Sequence, residues 1–133
     1  KFRDTPTSVI NFVEGTRFTD EKKARRASTF EHLLPPRAGG VALALSSMGD
    51  MFDAILDVTI VYPRGPAQFW AMVCGEFEHV IVDIVRRPID PEIYRGDYQN
   101  DRQFRSYFHQ WLTGIWEEKD QKISRIKKSQ LTD

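Results

Sequence analysis

Several apolar stretches predict regular secondary structure along the first two thirds of the chain. Residues 8–13 are a short β-branched run typical of a buried strand. Residues 41–48 follow a glycine pair, carry apolar side chains on one face and predict a short helix. Residues 55–62 and 77–85 predict two further strands, and residues 67–73 between them predict one or two helical turns. Because the 55–62 strand is largely apolar, we expect it to be buried on both faces, as in a parallel or mixed sheet.

A long amphipathic helix is predicted to begin near Asn100, a suitable N-cap. Its apolar positions follow the spacing of one wide stripe: Phe104, Tyr107, Phe108, Trp111, Leu112, Ile115 and Trp116. Docking of this stripe on a core is the default interpretation. The alternative is a helix lying in a lipid headgroup region, because lysines follow the aromatic residues, although acidic residues nearly balance them.

These elements predict an α/β fold with a small, mostly parallel or mixed sheet flanked by helices and a long C-terminal amphipathic helix. A length of 133 residues suits one domain with a real core. We expect residues 1–90 to form the sheet-containing part and residues 91–133 to form the amphipathic helix region packed on it.

The overall composition is that of an ordinary soluble domain, with 41% hydrophobic and 29% charged residues. The formal net charge is zero, so charge gives no reason to expect nucleic acid as a partner. A single cysteine, Cys74, excludes an internal disulfide and lies among apolar residues, so we expect a buried thiol. No apolar run reaches the roughly 20 residues that span a bilayer, and the placement of histidines and carboxylates predicts no metal site.

Candidate chemistry begins directly after the first predicted strand. Glu14, Gly15, Thr16 and Arg17, called the tetrad below, bring a carboxylate, a glycine, a hydroxyl and a guanidinium together. Gly15 permits a sharp turn or close approach to a ligand, and Arg17 offers a fork of donors suited to a phosphate or carboxylate. In open α/β sheets, ligands bind beyond the carboxyl ends of strands. The competing interpretation is a surface turn with a structural Glu/Arg pair.

Two later segments extend this hypothesis. Arg37 is held between two prolines and two glycines, and it is either a surface arginine or a second anion contact beside Arg17. Residues 19–26 are strongly charged; most such runs are solvated surface, and the alternative is a cationic rim that attracts an anionic substrate.

The ordered blocks at residues 12–18, 28–30, 33–40 and 57–63 resemble a known family. Taken together they are similar to the second half of the catalytic domain of glycerophospholipid acyltransferases of the lysophosphatidate (PlsC) type, in particular the bacterial YihG-like branch. The resemblance implies an enzyme at the cytoplasmic face of the bacterial inner membrane. Such an enzyme transfers a fatty acyl group from acyl-CoA or acyl carrier protein to the hydroxyl of a lysophospholipid, with no other cofactor.

The resemblance also assigns roles to residues. In the family, the tetrad binds the glycerophosphate, so Glu14, Gly15, Thr16 and Arg17 inherit that role, and Arg37 inherits a related one. Catalysis in the family depends on a histidine base and an aspartate separated by four residues, upstream of the tetrad. The family usually has proline before the glutamate, where this chain has Val13.

No histidine in the 133 residues is followed by an aspartate at that spacing. His79 and Asp83 imitate such a pair, but in a strand they stand about 13 Å apart, so we expect a structural role for His79. We therefore expect this chain to be the soluble C-terminal portion of a longer acyltransferase. Alone it should be inactive, and it should self-associate through uncovered apolar surface. The membrane contact would lie in the missing N-terminal part.

Two other function classes stay open at this point. The chain could be a non-catalytic phosphate- or lipid-binding module at a membrane surface, using Arg17, Arg37 and the aromatic helix. It could also be a plain protein-interaction domain, which rests on the aromatic helix alone.

Overall fold

The computed structural model describes residues 5–63, 74–75 and 79–130. Within these ranges the chain forms three α-helices and two strands, in the order α1 (Asp20–Arg25), α2 (Ala38–Met48), β1 (Ile55–Val61), β2 (Ile81–Arg87) and α3 (Arg102–Gln130). Two short 3-10 helices, Gly49–Met51 and Pro91–Ile93, follow α2 and precede α3. The predicted α/β class is confirmed, as are the helix over 41–48, the strand over 55–62 and the long C-terminal helix.

Helix α3 forms the centre of the core. It begins where Asp101 Oδ1 accepts hydrogen bonds from the backbone N–H groups of Gln103 (2.8 Å) and Phe104 (3.1 Å). The N-cap is therefore Asp101, one residue later than the predicted Asn100, whose side chain donates to Asp97 Oδ2 instead. The buried face of α3 consists of Phe108, Leu112, Ile115, Trp116, Lys119 and Ile123. Since these side chains pack inward, the helix docks on the core, as the default interpretation predicts.

The two strands pair antiparallel, with Val58 opposite Ile84 and Ile60 opposite Val82. The expectation of a parallel or mixed sheet is therefore not met by the described strands. The expectation that β1 is buried on both faces is also wrong, because Leu56 is 63% exposed and Ile60 is 52% exposed. Side chains of a strand alternate between two faces, and α3 covers only one of them among the described residues.

A buried ion-pair network fixes the inner face of this sheet to α3. Lys119 Nζ lies 2.5 Å from Asp57 Oδ1 and donates to the Val58 carbonyl at 3.1 Å. Arg87 Nη2 connects Asp57 Oδ2 (3.1 Å) to Glu118 Oε2 (2.7 Å). Each buried charge thus has an opposite charge and a hydrogen-bonding partner, which is the condition under which burial of ions is tolerated.

His79 and Asp83 do not form a histidine–aspartate pair in the structure. Asp83 Oδ2 pairs with Lys122 Nζ at 2.6 Å, and His79 Nε2 lies 2.9 Å from Gln130 Oε1. Both side chains bind α3 and not each other, which agrees with the structural role predicted for His79.

Two further expectations are wrong. Residues 8–13 do not form a strand, and Ile10 and Phe12 are 81% and 84% exposed. A strand needs a neighbouring strand for its backbone hydrogen bonds, and the described sheet contains only β1 and β2. Cys74 is exposed and not buried. The helical turns predicted at 67–73 and the start of the strand predicted at 77 lie outside the described residues, and the division at residue 90 stays a prediction.

None of the helices in the described ranges is both long enough and apolar enough to cross a membrane.

Candidate functional site

The tetrad folds as a tight turn at the surface. The Gly15 N–H donates to the Phe12 carbonyl at 2.9 Å, which closes the turn. Gly15 has a φ of +69°, in the left-handed region that residues with a Cβ adopt at a cost. The glycine of the tetrad is therefore required by the backbone conformation.

Arg37 lies directly against this turn. Its backbone N–H donates to the Val13 carbonyl at 2.8 Å. Its Cδ lies 3.3 Å, and its Nη1 3.6 Å, from the position that a Cβ on Gly15 would occupy. The missing side chain at Gly15 thus leaves the space that the Arg37 side chain fills. The structure brings the two predicted anion-binding blocks together, although 20 residues separate them in sequence.

The Glu14 side chain points inward. Its Oε2 accepts the Leu34 N–H at 3.3 Å. The Leu34 carbonyl in turn accepts the indole N–H of Trp116 at 3.0 Å, and Leu34 is fully buried. Burial raises the pKa of the Glu14 carboxyl above its ordinary value, while the Leu34 N–H and the charges of Lys119 and Arg26 oppose that rise. Glu14 therefore holds the 33–37 segment beneath the turn.

Lys22 and Arg26, both from the charged segment, donate hydrogen bonds to the turn. Lys22 Nζ donates to Thr16 Oγ1 at 2.8 Å and to the Arg17 carbonyl at 3.3 Å. Arg26 Nη1 donates to the Glu14 carbonyl at 3.1 Å. The sequence predicts either solvated surface or a cationic rim for this run, and it predicts neither of these contacts with the turn. The available signal was Thr19, whose hydroxyl accepts the Lys22 N–H at 3.2 Å and caps α1, turning the segment back towards the tetrad.

Arg17 is exposed, and its guanidinium makes no hydrogen bond or ion pair within the described ranges. Around it, residues 14–26 together with Arg37 contain six lysines and arginines and three acidic residues. One of those three, Glu14, is turned away from solvent. The turn therefore presents a positive surface suited to a phosphate or carboxylate.

All three histidines lie in the described part of the chain, and their side chains contact residues outside the tetrad. His32 Nε2 lies 3.0 Å from Ser124 Oγ, which resembles a serine nucleophile beside its base. In such a triad the other ring nitrogen binds a carboxylate, but His32 Nδ1 faces Lys127 Nζ at 3.3 Å. Burial and Lys127 lower the pKa of His32. His109 Nε2 lies 2.9 Å from the Tyr98 hydroxyl. These arrangements do not orient a general base.

The chain is similar to curated proteins named as acyltransferases. Lysocardiolipin acyltransferase 1 of Danio rerio is 24% identical over 131 residues, covering 91% of this chain and 32% of the relative. The protein of the same name from Gallus gallus is 25% identical over 131 residues, covering 91% and 33%. A Saccharomyces cerevisiae protein named an uncharacterized acyltransferase is 32% identical over 130 residues, covering 86% and 32%. These similarities support an acyltransferase family.

The chain spans about a third of the length of the curated relatives it matches. No family model matches the chain, and no solved structure matches it. The predicted acyltransferase relationship is thus supported at the family level. The lysophosphatidate type and the bacterial branch stay predictions, and the three relatives named above come from vertebrates and yeast.

The backbone requirement at Gly15 can be measured directly. Gly15→Ala forces a Cβ into the left-handed region and against Arg37, so we expect a loss of about 1–2 kcal/mol in the free energy of unfolding, measured by urea denaturation. Gly39→Ala is the matched control, since Gly39 lies in α2 with nothing within 4 Å of its added Cβ. That variant should keep its stability or gain up to about 1 kcal/mol. Equal effects of the two substitutions would contradict the turn described here.

The inward position of Glu14 predicts a pH dependence. Because burial raises the pKa of its carboxyl in the folded state, protonation favours folding, and this contribution is lost as the pH rises through the raised pKa. Wild type should therefore gain stability relative to Glu14→Gln as the pH falls from about 7 towards the ordinary value of 4.5. Denaturation of both proteins at several pH values measures the difference. Glu21→Gln, which removes an exposed carboxyl, should show a smaller change, and a gain of wild type with rising pH would refute the assignment.

Proposed function

We propose that this chain is the acceptor-phosphate-binding part of a glycerophospholipid acyltransferase of the lysophosphatidate type. The reaction transfers a fatty acyl group from acyl-CoA or acyl carrier protein to a lysophospholipid hydroxyl. The acyltransferase-named relatives support the reaction class. The observation that carries the phosphate-binding role is the packing of Arg37 on the Gly15 turn, which joins two cationic blocks at one surface.

In this proposal, Arg17 and Arg37 bind the phosphate of the acceptor. A guanidinium donates two parallel hydrogen bonds to a phosphate, and both arginines are exposed at the turn. Gly15 lets the backbone approach the phosphate closely, and Thr16 adds a hydroxyl beside it. Glu14, which inherits a substrate-binding role from the family resemblance, acts here by holding the 33–37 segment in place.

The bond-making step needs groups that this chain does not supply. The acceptor hydroxyl attacks the thioester carbonyl, a C–O bond forms, the C–S bond breaks, and a base takes the hydroxyl proton. The resemblance assigns that base to a histidine with four residues between it and an aspartate, a spacing absent from these 133 residues. His32 contacts Ser124 and Lys127, His79 contacts Gln130, and His109 contacts Tyr98. We infer that the isolated chain binds the acceptor phosphate without turnover.

The parent protein in this proposal works at the cytoplasmic face of a bacterial inner membrane, where its acceptor lipid lies. The alternative, a non-catalytic phosphate- or lipid-binding module, uses the same arginines. In that alternative Trp116 is not available as a lipid contact, because it is 6% exposed and donates to the Leu34 carbonyl. The protein-interaction domain built on the aromatic helix stays a prediction.

Replacing Arg17 in the whole parent protein tests the proposal. With lysophosphatidate and acyl-CoA, Arg17→Ala should raise KM for the acceptor and lower kcat/KM by about tenfold to 100-fold, the scale of a lost charge-assisted hydrogen bond. Arg25→Ala is the charge-matched control, since Arg25 is exposed on α1, and should stay near wild type. Full activity of the Arg17 variant, or turnover by the isolated chain, would refute the assignment. A parent protein that binds lysophosphatidate without transferring acyl groups would favour the non-catalytic module.

A further inference from the structure

Lys22 is a partly buried cation fixed at the tetrad. Its ammonium donates to Thr16 Oγ1 at 2.8 Å and to the Arg17 carbonyl at 3.3 Å. Thr16 and the backbone of Arg17 therefore fix the position of the ammonium. An ammonium has three N–H donors. These two contacts leave one donor for a ligand.

Both acceptors of Lys22 are neutral, which distinguishes it from Lys119 and Lys122 on α3. Lys119 lies 2.5 Å from Asp57, and Lys122 lies 2.6 Å from Asp83. Lys22 has no carboxylate within ion-pair distance among the described residues. A partly buried charge without an opposite charge is costly, and a bound anion would compensate it.

Arg37 lies on the same turn. Its side chain packs at Gly15, while the Lys22 ammonium is fixed at Thr16 and Arg17. Two cations of fixed position therefore flank the segment that carries the exposed Arg17. The one acidic side chain within the tetrad, Glu14, is bonded to the Leu34 N–H and points away.

We propose that Lys22 binds the acceptor phosphate together with Arg17 and Arg37 and selects a phosphomonoester over a phosphodiester. This inference rests on the proposed function. A phosphomonoester carries a charge of about −1.5 to −2 at neutral pH, with a second pKa near 6, whereas a phosphodiester carries one negative charge. A third fixed cation adds to the affinity for the second charge, so it favours the dianion.

A structural role for Lys22 predicts a different result. If Lys22 only holds the turn, its loss weakens the binding of both phosphates by the same factor. If it binds the phosphate, its loss lowers the ratio of monoester to diester affinity. The ratio should also rise as the pH increases through the second pKa of the monoester, and this rise should be smaller without Lys22.

The test uses the whole 133-residue chain, labelled with 15N and titrated with glycerol 3-phosphate or with glycerophosphoglycerol, a diester. The amide signals of Gly15 and Thr16 report binding. Wild type should prefer the monoester, and Lys22→Gln should lower that preference by about fivefold, the upper range for an exposed charge pair. Lys23→Gln is the matched control, because the Lys23 ammonium donates to the Glu31 carbonyl and not to the tetrad. It should keep the wild-type ratio.

The outcomes separate this inference from the proposed function. An unchanged ratio of monoester to diester affinity in Lys22→Gln, or an equal fall of that ratio in Lys23→Gln, overturns the role of Lys22. In either case, loss of binding of both ligands in Arg17→Ala still supports the phosphate site. Absence of binding to either phosphate overturns the site and the inference together. A second arm presents lysophosphatidate in phosphatidylcholine vesicles. A Lys22-dependent preference seen there alone supports the inference with the lipid as the source of the monoester.

Discussion

The candidate site depends on the two backbone hydrogen bonds of Leu34. Its N–H donates to Glu14 Oε2 and its carbonyl accepts the indole N–H of Trp116, inside a part of the molecule where Leu34 is fully buried. A buried peptide without partners costs about 1–3 kcal/mol for each unsatisfied group. The backbone of Leu34 therefore links the first residue of the tetrad to the longest helix among the described residues.

Helix α3 supports both the turn and the sheet through neighbouring side chains of one face. Trp116 reaches the Leu34 segment, and one turn later Lys119 reaches Asp57 on β1, with its ammonium 5.0 Å from the centre of the Trp116 ring. Asp120 accepts the backbone N–H groups of Glu31 and His32 at 2.8 and 2.7 Å and fixes the start of the same segment. A rigid helix thus sets the position of Arg37 relative to the Gly15 turn, which is what anion binding by fixed groups requires.

Local signals in the sequence were sufficient for some elements and not for others. The helix over 41–48 and the long C-terminal stripe could be predicted because periodicity and end signals are contained within the element. The run at 8–13 and the outer face of β1 could not, since strand formation and burial depend on neighbours that the segment itself does not encode. The inward position of Glu14 depends on its hydrogen bond to Leu34, 20 positions away. The contact of Lys22 with Thr16 depends on the direction in which α1 leaves the turn. The resemblance to acyltransferases rests on the ordered blocks, whereas the geometry of the candidate site depends on the fold.

Hydrogen exchange measured residue by residue in Trp116→Phe tests the central claim most directly. Loss of the indole N–H leaves the Leu34 carbonyl without its donor. The amides of Leu34 and Gly15 should then exchange about tenfold faster than in wild type, relative to amides within β2, because the lost hydrogen bond destabilises this segment locally. An equal change at all amides, or unchanged exchange at Leu34 and Gly15, would show that α3 does not hold the turn in place.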